Sequence, residues 1–210
     1  VDKEIRILTT PVELRAASDG GQEYIDGYAL KFERWSDPIG FWFPFQEIIS
    51  RSALDGADMS NVVALFNHDP SMPLARNTVA GDVGSLTLEV DAIGLRFQFI
   101  PTNTSYAQDL MENVRAGVVN QCSFAFTVAE DGDEWSYDED SGLYQRRINQ
   151  FAAIYDVSLV TTPAYPDTEA VVGQRSKERL KKLVEQRKRP LIDREKERIG
   201  PVSYLTGLFS

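Results

Sequence analysis

One cysteine, Cys122, and one histidine, His68, occur in 210 residues. A lone thiol cannot close an internal disulfide, and Cys-based zinc sites need several thiolates, so both are excluded. A lone imidazole likewise argues against metal centres built on paired histidines. No apolar run approaches the roughly 18 residues needed to cross a bilayer. The N-terminal stretch VDKEIRILTTPVELRAA has no signal-peptide apolar core, so an intracellular setting is expected. The chain also lacks internal repeats, a glycine-rich phosphate loop and a dinucleotide fingerprint. Neither a cofactor nor a metal is therefore expected.

What is present suits a globular body. Hydrophobic residues make up 42% and charged residues 26%, enough apolar material at this length to bury a real core. The net charge of −10 is unevenly spread. Residues 173–199 hold eleven Lys/Arg against five Asp/Glu, a net of +6 that leaves −16 on the remainder. Two parts are expected: a body over 1–172 and a basic helical tail over 173–210. In the tail, Leu180, Leu183, Val184 and Arg187 share one helical face, and Pro190 is expected to kink or end the helix. The tail has no interleaved aromatics and the body is acidic, so nucleic acid is not the expected partner.

The body reads as strands. YIDGYALKFERW and NVVALFNH are strand-like, and GSLTLEVDAIGLRFQFIP gives two alternating strands around Ala92-Ile93-Gly94. Leu95, Phe97 and Phe99 fall on one face there. TSYAQDLMENVRAG reads as a helix capped by Thr104 or Ser105 and ended by Gly117. Its apolar stripe is Tyr106, Leu110, Met111 and Val114. QCSFAFTVAE, LYQRRINQ and FAAIYDVSLV follow as further strands. EDGDEWSYDEDSG reads as a solvated acidic hairpin tip, without the ligand spacing of a calcium loop. TTPAYPDT should break the last strand. Many strands with isolated helices predict an α+β domain with a mainly antiparallel sheet or barrel.

Any histidine chemistry must use His68, which follows the apolar run VVALF and precedes the loop signal DPSMP. Alternation along QCSFAF puts Cys122, Phe124, Phe126 and Val128 on an apolar face, and Gln121, Ser123, Ala125 and Thr127 on a small polar one. Cys122 thus reads as a small core residue. Ser123 would face a cleft, where its hydroxyl needs a base, and His68 is the one imidazole available. The residues alone leave a catalytic and a structural reading open, with Cys122–His68 as a rival pair. Asp156 interrupts an apolar run and must be paired. The alternation groups it with Ile154, Ser158 and Val160, and it reads equally as an orienter of an imidazole or as a structural hydrogen-bond partner. Asp69 adjoins His68, but Asp-Pro more simply signals a turn.

GYALKF, LFNHD, PLAR, TSYAQDLMENVRAG leading into CSFAF, and IYDVSLVTTPAYPDTEA occur in an order that resembles the tailed-phage prohead proteases. These are capsid maturation enzymes of the herpesvirus-protease-like clan. The resemblance spans roughly residues 24–171. It matches His68 to the family's Asn-His-Asp histidine and Ser123 to the serine of Met-Ser-Phe-Gly-Phe. Cys122 stands for the usual Met, Ala125 for the usual Gly, and Asp156 where Glu is frequent. PLAR departs from Leu-Gly-Arg and leaves Arg76 as a substrate-binding or structural residue.

The resemblance implies a mostly antiparallel β-barrel flanked by helices. It also implies a serine endopeptidase with Ser123 as nucleophile, His68 as base and Asp156 as third member. Implied partners are the scaffolding protein and the major capsid protein, cleaved inside an immature prohead in the host cytoplasm, with self-cleavage as well. A homo-oligomer is left open. The final GPVSYLTGLFS would be a partner-binding strand or a peptide fitting the active-site cleft. The competing expectation is a scaffold or capsid-associated protein that keeps the fold without hydrolysing peptides.

Overall fold

Alternating apolar residues dominate the body, and the chain answers with strands. The computed structural model describes residues 3–15, 22–40, 43–161 and 172–199, the side chains of 7–11 and 189–199 excepted. The chain divides into two compact units, Val1–Gly173 and Gln174–Ser210.

In the first unit the strands are β1 (Glu4–Pro11), β2 (Glu13–Arg15), β3 (Tyr24–Lys31), β4 (Phe45–Ile49), β5 (Val63–Phe66) and β6 (Asp69–Arg76). They continue as β7 (Leu86–Val90), β8 (Gly94–Phe99), β9 (Gln121–Val128), β10 (Asp133–Asp138), β11 (Leu143–Ile148) and β12 (Phe151–Val160). Helix α1 (Ser105–Arg115) lies between β8 and β9. Pairing among the described residues gives a five-stranded sheet β1-β9-β12-β5-β6, a three-stranded sheet β10-β11-β4 and a four-stranded sheet β2-β3-β8-β7. Only β12 with β5 and β11 with β4 pair in parallel there, so the fold is α+β and mainly antiparallel.

The core gathers the apolar faces of these sheets. Leu95, Phe97 and Phe99 are buried on β8, as their alternation predicts. Phe124, Phe126 and Phe151 form an aromatic cluster with centroids 4.9–6.1 Å apart. Each such ring stabilises the fold by roughly 1.5–3 kcal/mol through burial. Helix α1 seats Ala107, Leu110 and Val114 in the core, with Tyr106 and Met111 at its edge. Its N-cap is Thr104, whose hydroxyl makes no capping hydrogen bond. Gly94 marks a close approach of backbones: a Cβ there would lie 2.0 Å from the Leu30 carbonyl oxygen.

Two expectations change here. The acidic stretch is not one solvated tip: after a turn at Glu130 and Asp131, Asp133 to Asp138 run along β10, and the turn into β11 takes residues 139–142. Asp133, at the start of β10, is buried and accepts a 2.8 Å hydrogen bond from Arg146 Nε. Arg146 is fully buried and also donates to Glu4 (2.6 and 2.9 Å) and Glu47 (2.8 Å). Arg6 bridges the same two acids, at 2.8 Å to Glu4 and 2.9 Å to Glu47. Two guanidiniums thus face three carboxylates in the interior. Burial pushes the Glu47 carboxyl up, but Arg6 and Arg146 outweigh it and hold the group below its ordinary range. Composition could not show this, because a buried charge is tolerable only with partners that the fold brings from distant strands.

The second unit contains α2 (Gln174–Ile199). The helix does not end at Pro190 but continues to Ile199. The proline's fixed φ is itself helical, so the helix can pass it, at the cost of one backbone hydrogen bond and crowding against the carbonyl four residues earlier. The strand β12 ends at Val160, where TTPAYPDT begins. The remainder of that segment, 162–168, and the terminal GPVSYLTGLFS lie outside the described residues.

Candidate active site

The hairpin β5–β6 is closed by two residues only, since Phe66 pairs with Asp69. Asn67 and His68 form its turn, with φ of +52° and +57°, the backbone sign of a type I′ hairpin. Asparagine tolerates this region, whereas for His68 it costs roughly 1–2 kcal/mol. The turn is tied to β12: Asn67 N donates to Leu159 O at 2.9 Å, and Asn67 Oδ1 accepts from Thr161 N at 3.2 Å. Asp69 does not open the turn. It begins β6 and folds its carboxylate onto Ser71, accepting from its N at 2.8 Å and its Oγ at 2.7 Å.

Asp156 reaches the opposite sheet face from Ile154 through a bulge. Ile154 pairs with Phe126 and Asp156 with the next residue, Ala125, so β12 carries Tyr155 as an extra residue. Simple alternation put Ile154 and Asp156 on one face; the bulge separates them. Ile154 joins Val157 and Leu159 in the core, and Asp156 turns to the face of Ser123 and Ser158, which are directly opposed across β9 and β12.

These devices bring the three candidates together. His68 Nε2 lies 2.6 Å from Ser123 Oγ, and His68 Nδ1 lies 2.5 Å from Asp156 Oδ1. Ser158 Oγ donates to Asp156 Oδ1 at 2.9 Å, and Lys3 Nζ donates to Asp156 Oδ2 at 2.9 Å. Burial pushes the Asp156 carboxyl up, but the hydrogen bond and charge of His68, with Lys3, outweigh it and hold the group below the usual carboxylate range. An ionised Asp156 selects the tautomer with hydrogen on Nδ1, which leaves Nε2 as the acceptor for the Ser123 hydroxyl.

Ser123 does not open onto a cleft. It is fully buried, and its Oγ also lies 2.9 Å from the backbone oxygen of Arg6 on β1. One hydroxyl hydrogen cannot serve both His68 and Arg6, so the β1 carbonyl competes with the imidazole for it. Cys122 points the other way. Its Sγ donates to Tyr28 O at 2.9 Å, and burial pushes the thiol up to about 12. That thiol is a core group and not a thiolate nucleophile. Arg76 is engaged elsewhere: it donates to Asn61 Oδ1 at 2.6 Å.

A family model described as Caudovirus prohead serine protease matches residues 10–183. The chain belongs to that family. The matched span contains His68, Ser123 and Asp156. Among solved structures the chain is similar to the capsid assembly protease of bacteriophage T4, gp21, at 13% identity and a TM-score of 0.45, over 75% of this chain and 98% of that one. A search of curated protein sequences found no match.

Sequence reading missed Lys3, the Arg6 carbonyl and the bonding role of Ser158. Period-two alternation in Lys3-Glu4-Ile5-Arg6 was the available signal for Lys3. It separates Lys3 from Glu4 and Arg6 but does not say which face meets the serine.

Proposed function

We propose that this prohead serine protease works as a Ser-His-Asp endopeptidase, with Ser123 as nucleophile, His68 as general base and Asp156 as the group that orients and stabilises the imidazolium. The observation that supports this most directly is the continuous chain of contacts from Ser123 Oγ through both ring nitrogens to Asp156 Oδ1, at 2.6 and 2.5 Å. Ser123 Oγ adds to the scissile carbonyl as its proton passes to His68 Nε2. The C–N bond then breaks, and that proton leaves with the amine. Water, deprotonated by His68, cleaves the resulting ester and frees Ser123. The burial of Ser123 means that a substrate peptide must first displace the Arg6 carbonyl from its hydroxyl. Substrates in this reading are scaffolding protein or the scaffolding segment of the capsid protein, and the chain itself, within an immature shell. Residues 1–172 would carry the protease, and 173–210 a basic helical appendage.

That same burial favours a second reading, a capsid-associated protein that keeps the fold without catalysis. An alkyl fluorophosphonate separates the two. The protease reading expects stoichiometric labelling of the full chain, abolished in Ser123→Ala. It also expects cleavage of co-expressed scaffold and capsid proteins by the wild type alone. Absence of both in wild type would leave the structural reading standing. Labelling that followed Cys122 would overturn the nucleophile assignment.

A further inference from the structure

Strand β1 presents its two faces to different environments. Glu4 and Arg6 point into the interior, where they join the buried cluster of Arg146, Glu47 and Asp133. Alternation then turns Lys3 to the opposite face, the one that carries Ser123 and Asp156. Its Nζ meets Asp156 Oδ2 at 2.9 Å and lies 5.5 Å from the Tyr155 ring centroid. The Asp156 side chain is 3% exposed and that of Lys3 44%, so the lysine reaches a buried carboxylate from the solvent side. Oδ1 already accepts from His68 and Ser158, and Lys3 takes the other oxygen.

We propose that Lys3 is a positioning residue of the catalytic site: an anchored strand delivers its ammonium to Asp156 Oδ2, which fixes the carboxylate with Oδ1 toward His68 Nδ1 and offsets part of its charge. This rests on the reading of Ser123, His68 and Asp156 as the catalytic group, and deepens it. Lys3 precedes the family-matched span of residues 10–183.

The charged or titratable groups facing this pair among the described residues are few. Tyr155 lies on β12 beneath Lys3, and β9 offers only Ser123, Ala125 and Thr127, the last 3.2 Å from the Tyr155 hydroxyl. Asp69 on β6 is occupied by Ser71. The described residues of β5 are apolar. Removing the ammonium therefore strengthens the pull of Asp156 on the imidazolium. The acid limb of Ser123 reactivity should then move to higher pH.

The test measures the second-order rate of Ser123 labelling by an alkyl fluorophosphonate from pH 5 to 9, in the full chain, for wild type, Lys3→Met and Lys3→Arg. Coulomb interaction over roughly 6–7 Å in a water-like dielectric predicts an upward move of the acid limb by about half a pH unit in Lys3→Met, or about threefold slower labelling below the limb. Lys3→Arg keeps the charge and restores the wild-type limb. A Lys3→Met profile that coincides with wild type overturns the assignment, as does equal slowing of both variants at every pH. If wild type itself is not labelled at Ser123, the serine-protease reading fails and the role of Lys3 fails with it.

Discussion

Replacing Arg146 with methionine tests how the interior holds β1, and through it the site. The guanidinium donates hydrogen bonds of 2.6–2.9 Å to Glu4, Glu47 and Asp133, and lies 5.6 Å from the Trp135 ring centroid. Methionine fills much of the volume but leaves three buried carboxylates with Arg6 as the remaining guanidinium of the cluster. Removing one partner of a buried ion pair costs about 3–5 kcal/mol, because the orphaned charge stays desolvated. Against a typical total stability of about 5–15 kcal/mol, that lowers Tm by roughly 6–20 °C for a chain of this size. The pH dependence gives the sharper check. In the wild type the lowered Glu47 carboxyl contributes stability that is full above its unfolded pKa and lost as pH falls through the lower folded value. In Arg146→Met a carboxylate left without its cation has a raised folded pKa, so it is least destabilising below the unfolded value and most costly as pH rises. Urea unfolding followed by circular dichroism at pH 5 and pH 8 should show the gap between the proteins narrowing at the lower pH. Adding Glu47→Gln should recover part of the loss at pH 8. A loss below about 1 kcal/mol, or a gap indifferent to pH, would refute the view that these charges depend on one another.

Asp156→Asn should lower Ser123-dependent labelling and cleavage by about 10⁴-fold through the wrong imidazole tautomer, while circular dichroism stays unchanged. The same variant should flatten the acid side of the stability profile: the lowered Asp156 contributes stability above its unfolded pKa that disappears as pH falls through the folded value. A variant with wild-type activity would remove Asp156 from the mechanism. With its thiol at about 12 and buried, Cys122 should not react with a disulfide reagent at pH 8 until denaturant is added; rapid titration of the native chain would contradict its place in the core. Gly94→Ala sets a Cβ 2.0 Å from Leu30 O, and should destabilise the fold by roughly 1–3 kcal/mol in urea. A change within experimental error would mean that β3 and β8 yield there.

Much of the body was legible because period-two alternation is a local property. β8, α1 and the core face of β9 follow from residues that are neighbours in sequence, and the solitary His68 limited the candidates for a base. The acidic stretch misled because composition cannot tell a solvated Asp from Asp133, which is paired thirteen residues away with Arg146. The grouping of Asp156 with Ile154 failed for a related reason: a single inserted residue, Tyr155, reverses the alternation, and nothing local in FAAIYDVSLV marks the bulge.

The sequence by itself determined which groups could do chemistry, since one imidazole and one thiol leave few combinations, and it determined which faces of β8 and β9 are apolar. Tertiary structure decided the rest. It placed His68 in a two-residue turn pinned to β12, turned Asp156 toward it through the bulge, and laid β1 along β9 so that the Arg6 carbonyl and Lys3 meet the site. The physical reason is range: alternation is fixed by each residue's own backbone, whereas a buried charge or a shared proton is settled only by partners that pairing brings from far along the chain.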